Sequence, residues 1–454
     1  MNQADEIRNA LSVIMDPDLG QDIVSLGFIH DLIISDSGHV SLEIRLTTPA
    51  CPVKDLFKSQ AENALKPLGW ITQLTLKMGA STPQNTLLKS AKGLEKVGAI
   101  IAVSSCKGGV GKSSVATNLA YQLLLQGARV GLFDADIYGP SLPTMVRLQN
   151  DGILMEGQWV LPLEDRGMKL MSFGYLSQDH RGPALLRGPM VSQIINQLLT
   201  GTFWGELDYL VIDMPPGTGD IPITLTQLVP ITGALIVTTP QQISCVDVVK
   251  GIQMFDTLKV PIIGVVENMS TFTCNHCDTE HHIFGSGALE KLTAQFCIAN
   301  TFQMPIDPTL SQASDSGTPF VIQYPGSTTA QKFDAIAKTT VQETAKLRFG
   351  SQNRPQLKYE NTTLSVQFPG GEAQPIPSAK LRLSCRCALC IDEWTGAPKL
   401  DPASISESIS PTQIQAVGNY AFGVQWSDGH SSLYGDEQLA KISQNAYNHL
   451  TQKS

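Results

Sequence analysis

From the N-terminus, apolar positions first fall at helical spacing, at Ile7, Ala10, Leu11 and Ile14, and the turn-rich Asp16-Pro17-Asp18-Leu19-Gly20 ends that stretch. Two runs of alternating polarity follow at residues 29–34 and 40–46, hinged by Ser37-Gly38, and predict a pair of strands. Residues 1–80 therefore form a small α+β unit, and the polar, weakly patterned stretch 81–96 suits a linker.

The pattern changes at residue 97. An apolar run at 99–104 leads into a glycine-rich loop, then into helical spacing at Val115, Leu119, Leu123 and Leu124. Gly127 stands where a helix C-cap is expected, and the apolar run 130–133 ends in Asp134-Ala135-Asp136. Strand, loop, helix, strand is one βαβ unit. Further apolar runs at 209–212, 234–237 and 262–266 alternate with helix-like segments at 190–199 and 246–258. Continuous apolar strands are the mark of a parallel sheet covered on both faces, so 97–350 is expected to be an α/β domain. Past Phe349 the chain breaks into short strand-like pieces interrupted by Pro and Gly. A third, mainly β domain is expected over 355–454, with a last helix around 437–448.

Composition agrees with this division. A chain of 454 residues fits about three domains, and 42% hydrophobic with 16% charged residues is an ordinary globular mixture. Lys and Arg number 32 against 41 Asp and Glu, a net charge of −9 with acid in excess in all three segments. No segment has the basic excess of a nucleic-acid or anionic-membrane binder. No apolar run approaches the roughly 18 residues of a membrane span, and the first residues lack a signal peptide's basic and apolar regions. A soluble, unexported chain is expected. Nine cysteines, five of them in two short clusters, suit metal sites in a reducing compartment better than a disulfide framework.

The loop Cys106-Lys107-Gly108-Gly109-Val110-Gly111-Lys112-Ser113-Ser114 carries the Gly-Lys-Ser core of a P-loop between a strand and a helix. That placement suits phosphate: glycines let backbone amides surround the oxygens and the helix N-terminus adds its dipole. Lys112 is expected on the terminal phosphates and Ser113 on magnesium. Asp213 ends the apolar run 209–212, where a carboxylate would hold magnesium through water, and Asp136 is the candidate for positioning the attacking water. Asp134 is the weaker candidate, equally placed to act through a neighbour. Cys274 and Cys277, three positions apart in a turn-prone loop, can face one metal but supply half of a four-cysteine site.

Several residues carry family resemblances. The second lysine, Lys107, resembles the deviant Walker A loop of the ParA/MinD class of P-loop ATPases, and it implies a lysine reaching a partner's nucleotide across an ATP-dependent homodimer. Asn268 matches that class's adenine-recognising position. A two-fold axis would then bring two copies of the cysteine pair together. Asn268-Met269-Ser270 before Cys274 and Cys277, then His282-Ile283-Phe284-Gly285, Asp134 to Ser141 and Asp213 to Asp220 resemble the Mrp/ApbC family of iron-sulfur cluster scaffolds. That resemblance implies ATP and Mg2+ binding and slow hydrolysis. It also implies a [4Fe-4S] cluster bridged by Cys274 and Cys277 and delivery, with cluster assembly factors, to client apo-proteins.

The flanks agree. Asp16-Pro17-Asp18, Leu26-Gly27 and Thr48-Pro49-Ala50-Cys51-Pro52 resemble the MIP-eighteen-like domain of iron-sulfur maturation. Cys385, Cys387 and Cys390, with Gly418-Asn419-Tyr420 and Trp426 to His430, resemble the small C-terminal domain of the plastid-type relatives that serve photosystem I cluster assembly. The chain begins near its first domain without a transit segment, so a bacterial cytoplasm is expected, or the plastid stroma for a mature form.

Alternatives stand beside these expectations. The cysteine pair could hold zinc, and His276, His281 and His282 could be added ligands or solvated loop residues. Cys51 could be a reactive thiol or an inert buried one. Strand alternation would aim Cys385 and Cys387 to one face, with Cys390 joining after a turn and His430 a possible fourth ligand; a plain β core is the other reading. A spatial-organisation ATPase like MinD or ParA is the competing function, but the polar C-terminus lacks a membrane-seeking helix.

Overall fold

The computed structural model describes residues 2–50, 53–80, 92–148, 152, 154–176, 188–274, 276–349, 355–368, 371–387, 389–391, 397–417, 421–436 and 438–443. Cys51 lies outside them. Among the described residues, no helix is long and apolar enough to cross a membrane.

An eight-stranded sheet forms the centre. Its order is Thr301–Gln303, Ile262–Glu267, Gly233–Thr238, Val97–Ser104, Leu207–Asp213, Val130–Asp134, Met168–Ser172 and Leu163–Asp165, parallel except for the last pair. The continuous apolar runs are the reason. All eight residues of Val97–Ser104 are buried between two cores, Ala99, Ile101 and Val103 belonging to one and Val97, Ile100 and Ala102 to the other.

Helix Lys112–Leu125 covers the first face through Val115, Ala116, Leu119, Ala120 and Leu123, and Gly127 turns the chain out of it at φ +92°. The stretch expected as linker is shorter at its C-terminal end. Lys92–Leu94 is a 3-10 turn because Leu94 buries itself in the second core; residues 81–91 lie outside the described set.

The N-terminal region pairs Ile29–Ile34 antiparallel with His39–Leu46, as the alternation predicts. A third strand, Gln73–Ala80, runs parallel to His39–Leu46 after helix Lys54–Leu65. Ile7, Leu11, Leu42, Ile44, Phe57 and Ala61 make its own core.

The C-terminal region has two three-stranded antiparallel sheets around Leu364, Val366, Trp426 and Tyr434, whose rings meet edge to face at 6.3 Å. Its cysteines do not lie on a strand as expected. Residues Ser378–Leu383 are helical, and Cys385, Cys387 and Cys390 follow that helix, because Leu381 is drawn into the core at helical spacing. Residues 438–443 are helical, and the rest of the expected last helix lies outside the described residues.

Candidate nucleotide site and thiol sites

The P-loop leaves the C-terminal end of strand Val97–Ser104 and enters helix Lys112–Leu125. Gly109 and Gly111 adopt φ of +80° and +83°, where a side chain is strained. Gly111 has no room either, since a Cβ would sit 2.2 Å from Asn268 Nδ2. That amide donates to Val110 O at 2.9 Å, which ties Asn268 directly to the loop.

Lys112 Nζ is ion-paired with Asp213, both buried, and lies 3.3 Å from Ser113 Oγ. Asp213 is in register with Asp134 on the neighbouring strand, so two acids stand side by side at the strand ends. Asp134 is 3% exposed. Its carboxylate accepts the amides of Asp136, Ser141 and Leu142 at 3.1, 3.1 and 3.2 Å and the Ser172 hydroxyl at 3.1 Å. Burial first, and the charge of Asp213 second, push its carboxyl up to about 7. Burial also raises Asp213, against the lowering by Lys112. Asp134 thus holds the segment 136–142 in place, while Asp136 is half-buried and accepts the Gly139 amide at 3.3 Å.

Lys107 is exposed, and its carbonyl accepts from Ser105 Oγ at 2.9 Å. Gly217 N donates to Ser105 O at 2.8 Å, which links the Pro215-Pro216-Gly217 segment to the P-loop. Cys106 offers the loop its backbone alone. Its sulfur packs against helix Gln242–Thr257, where a Cβ on Gly251 would lie 2.3 Å away, and burial pushes the thiol up to about 11. Backbone amides, a helix N-terminus and a buried lysine together can cradle nucleotide phosphates.

Four residues past Asn268 the chain forms a short hairpin, Phe272–Thr273 against Glu280–His281. Its turn is closed by Cys274 N to Thr279 O and Asp278 N to Cys274 O, each 2.9 Å. Cys274 is half-buried and Cys277 exposed at the tip. The Thr279 hydroxyl, 3.2 Å from Cys277 Sγ, leads the causes that hold this thiol below its usual range, followed by the Thr279 amide and the Cys274 thiol. His276, His281 and His282 are exposed.

The structure also assembles a set the sequence left open. Cys385, Cys387 and Cys390 Sγ lie 3.4, 3.4 and 3.6 Å from His430 Nε2, and the four ligand atoms all fall within 4.8 Å of one another. Tetrahedral zinc with bonds of about 2.3 Å spaces its sulfurs about 3.8 Å apart, so three thiolates and one imidazole fit a closed metal site with small adjustments. Arg382 and Asp428 frame it: Arg382 Nη1 lies 3.4 Å from Cys390 Sγ, Arg382 Nε donates to Asp428 at 2.9 Å, and Asp428 accepts the His430 amide at 2.9 Å. Burial pushes the Cys385 thiol up to about 12, so a metal entering here releases a proton.

Comparison with known proteins bears on these sites. Residues 96–341, more than half of the chain, match the family described as NUBPL iron-transfer P-loop NTPase. The chain belongs to this family. Within the iron-transfer P-loop NTPases it has a three-part form, since residues 4–75 match an iron-sulfur cluster assembly protein family and 356–439 a gamma-butyrobetaine hydroxylase-like N-terminal domain. The chloroplastic Fe-S cluster assembly factor HCF101 of Arabidopsis thaliana is 46% identical over 444 residues, 96% of this chain and 82% of that one. The iron-sulfur cluster carrier proteins of Synechocystis and of Escherichia coli K12 are 42% and 40% identical. They cover 74% and 71% of this chain, and the alignments span 97% and 87% of those proteins. A solved nucleotide-binding protein of Archaeoglobus fulgidus in complex with ADP is 38% identical, with a TM-score of 0.45 over 50% of this chain and 88% of that one.

Proposed function

We propose that this protein is an ATP-dependent iron-sulfur cluster carrier that works as a homodimer. The observation that carries this reading is the joined path from P-loop to thiols. Asn268 is hydrogen-bonded to Val110, Ser270 is held by Met304 O at 2.9 Å, and the hairpin with Cys274 and Cys277 follows immediately. Nucleotide at the P-loop therefore acts on the segment that carries the thiols.

Two thiols per chain supply half of what a [4Fe-4S] cargo needs, and a second copy supplies the rest. Exposure of Cys277 suits cargo that must be handed on to client apo-proteins. The names of the 40–46% identical relatives, assembly factor and carrier, support the same reading.

In the nucleotide site, Lys112 contacts the terminal phosphates, and Ser113 and Asp213 are the residues that would hold Mg2+. Asp213, a buried acid beside a second acid, fits a cation. The cation neutralises phosphate charge. Asp136 orients the attacking water, with Asp134 fixing the backbone around it, and hydrolysis is slow because it is coupled to rearrangement of the dimer.

Anaerobic reconstitution with iron and sulfide, followed by metal analysis and visible absorbance, tests the proposal. Wild type is expected to take up about four iron per dimer at the hairpin thiols, and Cys277→Ala to lose that fraction. Zinc in place of iron at the hairpin thiols, or full retention in Cys277→Ala, overturns it.

A further inference from the structure

A further thiol lies where the central and C-terminal regions meet. Cys297 ends helix Ala288–Phe296 in the left-handed conformation, at φ +55°, a strained choice for a residue with a Cβ. Burial raises its thiol, against a lowering by the Gly435 backbone and by Arg386, both of the C-terminal region. Arg386 lies in sequence between the ligands Cys385 and Cys387. The helix itself is part of a continuous core with that region, through Leu289 and Leu292 on one side and Ala421 and Leu433 on the other. A cavity of about 1420 Å3 opens at this junction, and Cys297, Cys385 and Cys390 all line it. A purely structural metal site shelters its four ligands from other donors. Here two of the four share a cavity with a fifth donor from another part of the chain.

We propose that Cys297 is an exchange ligand for the metal held by Cys385, Cys387, Cys390 and His430, displacing His430 as the ion enters or leaves. This rests on those four residues being the ligand set, and it is independent of the cluster at Cys274 and Cys277. His430 is the one to yield because its imidazole is the sole neutral donor among three thiolates, and thiolate binds soft, thiophilic metals in its place. The metal–Nε2 bond breaks as a metal–Sγ bond forms, and the proton of the Cys297 thiol passes to the freed imidazole. No electron is transferred.

The test uses the full chain carrying Cys274→Ser and Cys277→Ser, so that Co2+, the probe, reports on the C-terminal set through its sulfur-to-metal absorption. One Co2+ per chain is expected, and Cys385→Ser is expected to abolish that binding; a Cys385→Ser chain that keeps its Co2+ overturns the ligand set itself. Replacing Cys297 by Asn, which tolerates the left-handed conformation, is expected to slow loss of Co2+ to EDTA about tenfold. Cys297→Ser, nearer in size, must slow it to the same extent. Unchanged loss in either variant overturns the exchange role.

Discussion

Asp134 shows how much one side chain can decide. As a sequence feature it is one of two acids at a strand end, with Asp136 the apparent actor. In the structure it is the acid that four donors converge on, and Asp136 depends on it for the position of its own backbone. Its environment makes a signed prediction. The carboxyl is raised from 3.8 to about 7 by burial and by Asp213, so between those values the folded protein holds a proton that the unfolded chain has released. Stability then falls as pH rises through that window, and the loss is complete above about 7. Asp134→Asn removes this dependence. A carboxamide accepts at one oxygen only, so at least one donor is left unpaired at a cost of about 1–3 kcal/mol. Urea denaturation without nucleotide or Mg2+ should therefore find the variant clearly weaker than wild type at pH 5 and the gap narrowed at pH 8. A gap that is constant with pH would show that Asp134 does not titrate as its surroundings require.

The hairpin that carries Cys274 and Cys277 shows what a short element contributes. It has two residues in each strand, so it holds little by itself, and its turn is fixed by Thr279, through its backbone on Cys274 and its hydroxyl at Cys277. The same hydroxyl keeps the Cys277 thiol below its usual range. Thr279→Val, which keeps the shape and removes the hydroxyl, should move the pH midpoint of Cys277 alkylation upward, measured by mass spectrometry across the thiol range. A midpoint that stays in place assigns the lowering to the backbone and Cys274 alone. Elements differ in how far the sequence discloses them. Strands Val97–Ser104, Leu207–Asp213 and Val130–Asp134 were legible because burial on both faces leaves an unbroken apolar run. The P-loop was legible because glycine is needed at Gly109 and Gly111 whatever surrounds them. For Cys385, Cys387 and Cys390 the sequence offers His430 as a possible fourth ligand but has nothing that ties it there. His430 lies 40 residues beyond Cys390, and only the turn between Ala421–Trp426 and Ser431–Gly435, with Asp428 holding the His430 amide, swings it back. A helix before the cysteines, where alternation suggested a strand, hid the rest of that geometry.

At the scale of the whole molecule, the proposed homodimer is built from half-sites. In that proposal the hairpin brings two thiols to a [4Fe-4S] cargo that takes about four ligands, and the P-loop brings a second lysine for the partner's nucleotide. Lys112 is buried against Asp213, whereas Lys107, directly before Gly108, is exposed. Apolar side chains beside the loop are exposed as well: Tyr138 at 53% in the segment held by Asp134, and Ile243 at 64% and Val246 at 59% on the helix that packs against Cys106. Such side chains are the raw material of an interface, and they flank the lysine that would cross it. Lys107→Ala should accordingly leave nucleotide binding in place, because Lys112 and the loop amides are untouched, and should abolish association. Sedimentation at saturating ATP and Mg2+ is expected to give twice the chain mass for wild type and the chain mass for Lys107→Ala, with Lys112→Ala failing earlier, at nucleotide binding. In the same samples the iron taken up at Cys274 and Cys277 should fall with the dimer. An ATP-dependent dimer that survives Lys107→Ala, or iron uptake that survives without a dimer, would separate the lysine from the cysteines and leave the two half-sites without a common explanation.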